Sequence, residues 1–255
     1  MTEQITTELD GTVLRVKINR PEKKNALSAA MYLQIVDAFE EAATTRKIRA
    51  LTLEGSQEVF SAGNDMDTFF DPQKSLEETP SYKLMKAVIE FPKPALASVC
   101  GPAVGIGVTM LLHFDYIVAS EDAYFYTPFT KLGAVPEAAA SHVMPRRFGN
   151  QMAAELLMFG EKIPARRAYD VGMINKLVLE KEATPIMLEA AHRLAELPPE
   201  SVQQTKALMR GNTDELIEVA KREMILFGER TKTPEMHEAV AAFLQKRKAD
   251  FAQFD

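Results

Sequence analysis

Cysteine is almost missing from this chain: Cys100 is the only one in 255 residues. One thiol cannot build an intramolecular disulfide framework or a Cys-rich zinc site, and it fits a reducing compartment. An excess of positive charge is missing too, since 30 Lys and Arg stand against 36 Asp and Glu, a formal net charge of −6. Nucleic acid and anionic membrane surfaces are held by clustered cations, so neither is an expected partner. The first residues, MTEQITTELDG, contain no apolar stretch of the signal-peptide kind, and the last, KADFAQFD, carry no prenylation or peroxisomal address. A cytoplasmic location is the expectation. Pro94 to Phe114 runs 21 residues without a formal charge, but Gly101, Pro102, Gly105 and Gly107 interrupt it. A spanning helix needs about 20 uninterrupted apolar residues; this stretch reads as a buried strand, a turn and a buried helix.

What is present is ordinary globular material, 46% hydrophobic and 26% charged. The length supports one large core. Ile5–Glu8 and Val13–Ile18, separated by Asp10-Gly11, read as a hairpin. Ser28 suits the N-cap of an amphipathic helix with Met31, Ile35, Val36 and Phe39 on one face. Strands are expected at Arg49–Gly55, Ala95–Cys100, Tyr116–Ala119 and Tyr124–Tyr126, with helices at Tyr82–Glu90 and Ile106–His113 between them. This alternation points to an α/β fold. Beyond Leu132 helices dominate, with one strand at Met173–Leu179 and a last helix over Pro234–Asp250. The reading is a core over residues 1–195 and a helical region over 196–255.

Three segments could carry chemistry. Phe60-Ser-Ala-Gly-Asn-Asp-Met66 and Gly101-Pro-Ala-Val-Gly-Ile-Gly107 are glycine-bearing strand ends. Two backbone N–H groups from such segments could meet on one oxygen as an oxyanion hole; from spacing alone, each segment reads as a tight turn with packing glycines. The third is Leu132-Gly-Ala-Val-Pro-Glu137 and the alanines after it. Glu137 is alone in an uncharged stretch, which would raise its pKa toward useful acid/base values, or it sits in the first turn of a helix, complementing the dipole. Gly105-Ile-Gly107 lacks the third small residue of a dinucleotide loop, having Met110 there. The four histidines, His113, His142, His192 and His237, have no ligand spacing, and Ser61 and Ser141 have no nucleophile-elbow pattern. Cys100 reads as a small core residue.

In order along the chain, Asn19-Arg-Pro-Glu-Lys-Lys-Asn-Ala-Leu27, Phe60-Ser-Ala-Gly-Asn-Asp65, Phe91-Pro-Lys-Pro-Ala95, Gly101-Pro-Ala-Val-Gly105, the strand from Met173-Ile174 and Phe243-Leu-Gln-Lys-Arg247 resemble the crotonase (enoyl-CoA hydratase/isomerase) superfamily. Gly101 to Thr109, Tyr126-Thr-Pro-Phe129 and Leu132 to Glu137 are similar to its peroxisomal-type Δ3,Δ2-enoyl-CoA isomerases. The resemblance implies a spiral core of repeated ββα units with a helical C-terminal trimerisation region, and a homotrimer or dimer of trimers. It implies an acyl-CoA thioester substrate and no cofactor, CoA being part of the substrate. It implies an oxyanion hole from the N–H groups of Asn64 and Ile106, and Glu137 as the lone acid/base. Lys24, Ala26 and Leu27, with Ala62, Gly63, Asp65 and Met66 beside them, are the implied substrate-binding residues. Phe243 and Lys246, on the last helix, would reach a neighbouring subunit's CoA. Where hydratases of the family carry two water-placing glutamates, this chain has Thr109 and Phe129, which implies isomerisation rather than hydration. Another reaction of the fold, hydrolysis or hydration, and a silent acyl-CoA-binding subunit are the alternatives. Phe69, Phe70, Tyr82 and the polar stretch Asp71–Pro80 would bear on acyl length.

Overall fold

The computed structural model describes residues 3–65 and 75–254. β1 (Ile5–Asp10) and β2 (Val13–Ile18) form the expected hairpin. Asp10 pairs with Val13, so the two loop residues are Gly11-Thr12, one step later than the sequence pattern implied, with the positive φ falling on Gly11. α1 (Ala29–Thr44) is capped by Ser28, whose Oγ accepts from the Met31 N–H, and it buries Met31, Tyr32, Ile35, Val36 and Phe39. β3 (Ala50–Glu54), α2 (Pro80–Glu90) and β4 (Ala95–Val99) follow. Both of these strands are buried along their whole length, as parallel strands covered on both faces must be.

The stretch after β4 is more than a turn. Pro102–Val104 is a strand, β5, of a second sheet. The chain leaves the first sheet at Gly101, where φ is +61° and a Cβ would stand 2.0 Å from the Glu58 carbonyl oxygen, so no larger residue fits. α3 (Ile106–Thr109) continues as a 3-10 turn, Met110–His113. Then come β6 (Tyr116–Ser120), β7 (Tyr124–Tyr126), α4 (Ala140–Phe148), α5 (Asn150–Leu157), β8 (Lys162–Pro164), α6 (Ala165–Asp170), β9 (Lys176–Val178), α7 (Ala183–Ala195), α8 (Pro199–Arg210), α9 (Thr213–Arg230) and α10 (Pro234–Leu244).

The first sheet has the order β1-β2-β3-β4-β6-β9, parallel from β2 onward; the second is β5-β7-β8. Single bridges, Leu27 to Asn64 and Ser61 to Ala103, extend the second layer. After β2, β3, β4 and β6 the chain therefore steps from the first layer into the second before a helix returns it. That is the ββα spiral of the crotonase-like fold. One face of the first sheet joins the main core; on the other, Val13, Ala50, Leu96, Cys100 and Val118 pack under Ala183, Met187 and Ala191 of α7. The main core runs on into the C-terminal helices through Ile217, Ala220, Met224, Phe227 and Met236.

Three boundaries differ from the sequence reading. Of Met173–Leu179 only Lys176–Val178 is strand; Gly172, with φ +73°, turns the chain so that Met173 and Ile174 are buried before pairing begins. Lys162–Pro164 is a strand with no alternating pattern to announce it. The last helix ends at Leu244, not near Asp250. Lys246 turns left-handed (φ +53°), the Arg247 N–H reaches back to Ala242 O, and the Arg247 side chain pairs with Glu238 at 2.5 Å. This is a Schellman-type helix end, so Lys246, Arg247 and Lys248 lie beyond the helix rather than on it.

Candidate active site

Gly63 and Gly105 bring the two glycine-bearing segments into backbone contact. Their φ angles are +92° and +54°; a Cβ on Gly63 would stand 3.0 Å from Val104 O, and one on Gly105 4.0 Å from the Gly63 Cα. Asn64 and Ile106 follow them directly. In the parallel bridge with Leu27 the bonds fall on Asn64's neighbours: Leu27 N–H donates to Gly63 O (2.8 Å) and Asp65 N–H to Leu27 O (3.0 Å). The Asn64 N–H points the other way. Ile106 opens α3, where an N–H has no intrahelical acceptor. Among the described residues neither N–H donates a hydrogen bond.

Glu137 is buried. It is not in the first turn of α4, which starts at Ala140; Ala138 and Ala139 intervene with φ +59° and +58°. Left-handed backbone costs an L-residue roughly 1–2 kcal/mol, so the excursion is held by its surroundings. Among the described residues Glu137 Oε1 is buried without a hydrogen-bond partner, and the Asn64 side chain lies near enough to act on the carboxyl. Burial, and secondarily the charge of Glu223, push the Glu137 pKa up to about 8, with Asn64 pulling the other way. The Asn64 Oδ1 in turn accepts from the Tyr32 hydroxyl of α1. Burial first, then the Glu137 charge, hold the Tyr32 phenol well above its ordinary pKa, so it stays a donor. Tyr32, Asn64 and Glu137 form one chain of side chains.

The Lys24–Leu27 loop is tied to the Ala62–Asp65 segment. Ala62 N–H donates to Lys24 O (3.0 Å), Asn25 Nδ2 donates to Val59 O and Phe60 O (3.0 and 3.2 Å), and Ser61 Oγ donates to Asn25 O (2.9 Å). Asp65 is paired with Arg20 at 2.6 Å, and Arg20 also donates to Ala26 O. Asp65 thus acts as a strut between the two loops. Lys24 is exposed, and among the described residues its ammonium makes no ion pair. Met66, Phe69 and Phe70 lie outside the described residues. Phe243 and Lys246 stand at the far end of α10, both exposed, with no hydrogen bond or ion pair to the residues around Glu137 among those described.

Thr109 is fully buried and Phe129 nearly so, placing no carboxylate at either position. Tyr82 is buried on α2. His113 is buried, and its Nε2 lies 2.8 Å from Ala138 O. Among the described residues no group of His, Cys, Asp and Glu could hold a metal ion, and no helix is long and apolar enough to cross a membrane. Sequence reasoning missed Tyr32 and Glu223. Glu223 had a readable signal: it sits on the same face of α9 as Ala220, Met224 and Phe227, a carboxylate where the helical period calls for an apolar side chain.

Residues 8–254 match the enoyl-CoA hydratase/isomerase family, and the chain belongs to that family. It is 36% identical over 220 residues to rat "Enoyl-CoA delta isomerase 2", covering 84% of this chain and 56% of that protein. The chain thus spans little more than half of that relative's length. It is 34% identical over 250 residues to mouse "Enoyl-CoA delta isomerase 3, peroxisomal", covering 95% and 78%. The solved enoyl-CoA hydratase/isomerase of Pseudoalteromonas atlantica T6c superposes with a TM-score of 0.94 at 38% identity over 98% of this chain and 100% of that one. Proteins named as hydratases match as well.

Proposed function

We propose that this chain is a Δ3,Δ2-enoyl-CoA isomerase that moves the double bond of a 3-enoyl-CoA to the 2-position. The Glu137 carboxylate takes a proton from C2; the C–H electron pair enters the thioester, and the carbonyl oxygen gains negative charge. The N–H groups of Asn64 and Ile106 stabilise that charge, being preorganised donors on adjacent rigid segments. The enolate collapses with the double bond between C2 and C3, and C4 takes back the proton that Glu137 holds. One carboxylate serves both transfers, so no cofactor beyond the CoA of the substrate is required.

The observation that carries this reading is the Glu137 carboxyl: buried, with one oxygen free of hydrogen bonds, and beside Asn64. Its raised pKa brings its proton affinity closer to that of a carbon acid, which favours transfer. Hydration would need a second group to place and deprotonate water, and Thr109 and Phe129 offer no carboxylate for it. The exposed Lys24, carried by the loop tied to Ala62–Asp65, is the cation proposed for the CoA phosphates. Phe243 and Lys246 would serve a neighbouring subunit's CoA in a homotrimer or dimer of trimers. The exposed apolar side chains of the C-terminal helices, Leu208, Met209, Ile225, Leu226, Phe243 and Leu244, favour self-association.

Glu137→Gln tests the reading. Conversion of a 3-enoyl-CoA to its conjugated isomer, followed by ultraviolet absorbance, should fall by about 10³-fold, while affinity for a CoA ester is retained. Turnover retained in the variant removes Glu137 from the mechanism.

A further inference from the structure

The left-handed pair Ala138-Ala139 is what separates Glu137 from α4, and two buried side chains from elsewhere in the chain hold it. His113 meets Ala138 O at 2.8 Å. A carbonyl can only accept, so Nε2 carries the hydrogen; burial keeps this imidazole neutral, its pKa pushed down to about 3. Glu223 of α9 does more. Its Oε2 accepts from the Ala139 N–H at 2.6 Å, and its Oε1 from the Ser141 N–H at 2.9 Å and the Ser141 hydroxyl at 2.5 Å.

Those N–H groups are the free donors of the α4 N-terminus. The cap residue itself would ordinarily satisfy one of them, but the cap here is Ala139, which has no acceptor. A Ser or Asn at the cap would do that work without burying a charge. Instead a buried carboxylate, 84 residues along the chain from the N–H it caps, fills the place, next to a second buried carboxylate. Two such groups side by side are costly for the fold alone. The arrangement makes sense if the neighbour's charge and the clamp both act on Glu137.

The other groups facing these residues are identifiable. Arg222 acts on Glu223 from its own helix. Tyr32 of α1 faces Glu137. Arg147 of α4 and Lys206 and Arg210 of α8 act on His113. At the more exposed sides of α9, His142 stands 3.9 Å from Glu215, and Lys221 lies near Glu77, Glu218 and the Tyr82 ring.

We propose that Glu223 is a positioning residue for Glu137: its carboxylate clamps Ala139 and Ser141 so that the left-handed pair delivers Glu137 beside Asn64. Its charge acting on Glu137 is a second, separable role. This rests on the reading of Glu137 as the acid/base group. The position and charge roles separate in two variants. Glu223→Gln keeps the shape and removes the charge; Glu223→Asp keeps the charge and shortens the reach.

The test compares both with the parent in kcat, KM and pH profile for 3-enoyl-CoA isomerisation, and in the Glu137 carboxyl titration followed by ¹³C NMR on the free protein. In Glu223→Gln, kcat should fall by about tenfold or more with KM nearly unchanged, and the Glu137 midpoint should move to lower pH. In Glu223→Asp, kcat should fall while the midpoint stays near that of the parent. If the Gln variant does not fold, Glu223→Asp tests the clamp by itself, and parent kcat in it overturns that role. Parent kcat in the folded variants overturns the proposal, as does an equal loss in both with an unmoved midpoint, the signature of a scaffold contact only. The NMR titration needs no turnover. A shifted midpoint there, combined with full activity of Glu137→Gln, would discard the acid/base reading and leave the charge coupling of Glu223 to Glu137 standing.

Discussion

Around Asp115, cations are taken out of water and each is answered. Lys93 Nζ donates to Ala42 O, Thr45 O and Ile48 O at 2.5, 2.9 and 2.8 Å. Lys206 Nζ is 2.6 Å from Asp115 Oδ2 and also donates to Lys93 O. Arg210 donates to Ile89 O, Phe91 O and His113 O, and Arg147 to Leu112 O. Around Glu137 the opposite holds among the described residues: a buried carboxyl keeps one oxygen without a partner, and the Asn64 and Ile106 N–H groups donate no hydrogen bond. Burial of charge is common to both regions. What separates a brace from a candidate site is the unpaired capacity left over, because an unsatisfied buried group costs free energy that the fold alone gives no reason to spend.

The largest effects should split cleanly between the two regions. Glu137→Gln, expected to lose about 10³-fold in turnover, should keep or raise the melting temperature, since it removes a carboxyl that burial disfavours when charged. Lys206→Ala should do the reverse. It deletes a buried ammonium that donates to Lys93 O and to the partly exposed Asp115; hydrogen bonds to charged groups are worth about 1.5–3 kcal/mol, so its denaturation midpoint should fall, while turnover per folded molecule stays near that of the parent. If Glu137→Gln unfolds the protein, or Lys206→Ala removes turnover from a folded one, the comparison fails.

A smaller effect is expected of Tyr32→Phe. Losing one hydrogen bond of about 1 kcal/mol to the Asn64 amide should reduce kcat several-fold, with KM for the CoA ester little changed. Equal loss in kcat and in CoA-ester affinity would instead place Tyr32 in binding.

The pH dependence of stability is the finest test, and its two windows have opposite signs. His113 is held neutral with its pKa lowered from 6.5 to about 3, so its stabilising contribution is present above 6.5 and lost as pH falls toward 3. Glu137 is raised from 4.5 to about 8, so stability is full below 4.5 and declines as pH rises to 8. Denaturant titrations across pH should show both slopes, and Glu137→Gln should flatten only the alkaline one.

Much of the architecture was legible because it follows from local signals. Ser28 as a cap, the Met31–Phe39 face and the uncharged β4 each state their own conformation. What was illegible depends on distant partners. β8 is a strand because β7 offers it an edge, and α10 stops early because Arg247 finds Glu238. The candidate site divides along the same line. The segments holding Glu137, Asn64 and Ile106 carry glycine or an isolated charge, but only the family resemblance singled out those three residues and their roles. Tyr32 and Glu223 gain their meaning only when α1 and α9 are folded against those segments, so no motif contains them. The left-handed turn at Ala138-Ala139 was unreadable for a plainer reason: alanine is a helix former, and nothing local says that Glu223 and His113 will bend it the other way.

The central claim is that one buried carboxylate, and no second one, does the chemistry. It is tested most directly by measuring 3-enoyl-CoA isomerisation and 2-enoyl-CoA hydration side by side with the same purified protein. The account predicts rapid formation of the conjugated 2-enoyl-CoA and no 3-hydroxyacyl-CoA above the uncatalysed background. Hydration at a rate comparable to isomerisation would contradict it.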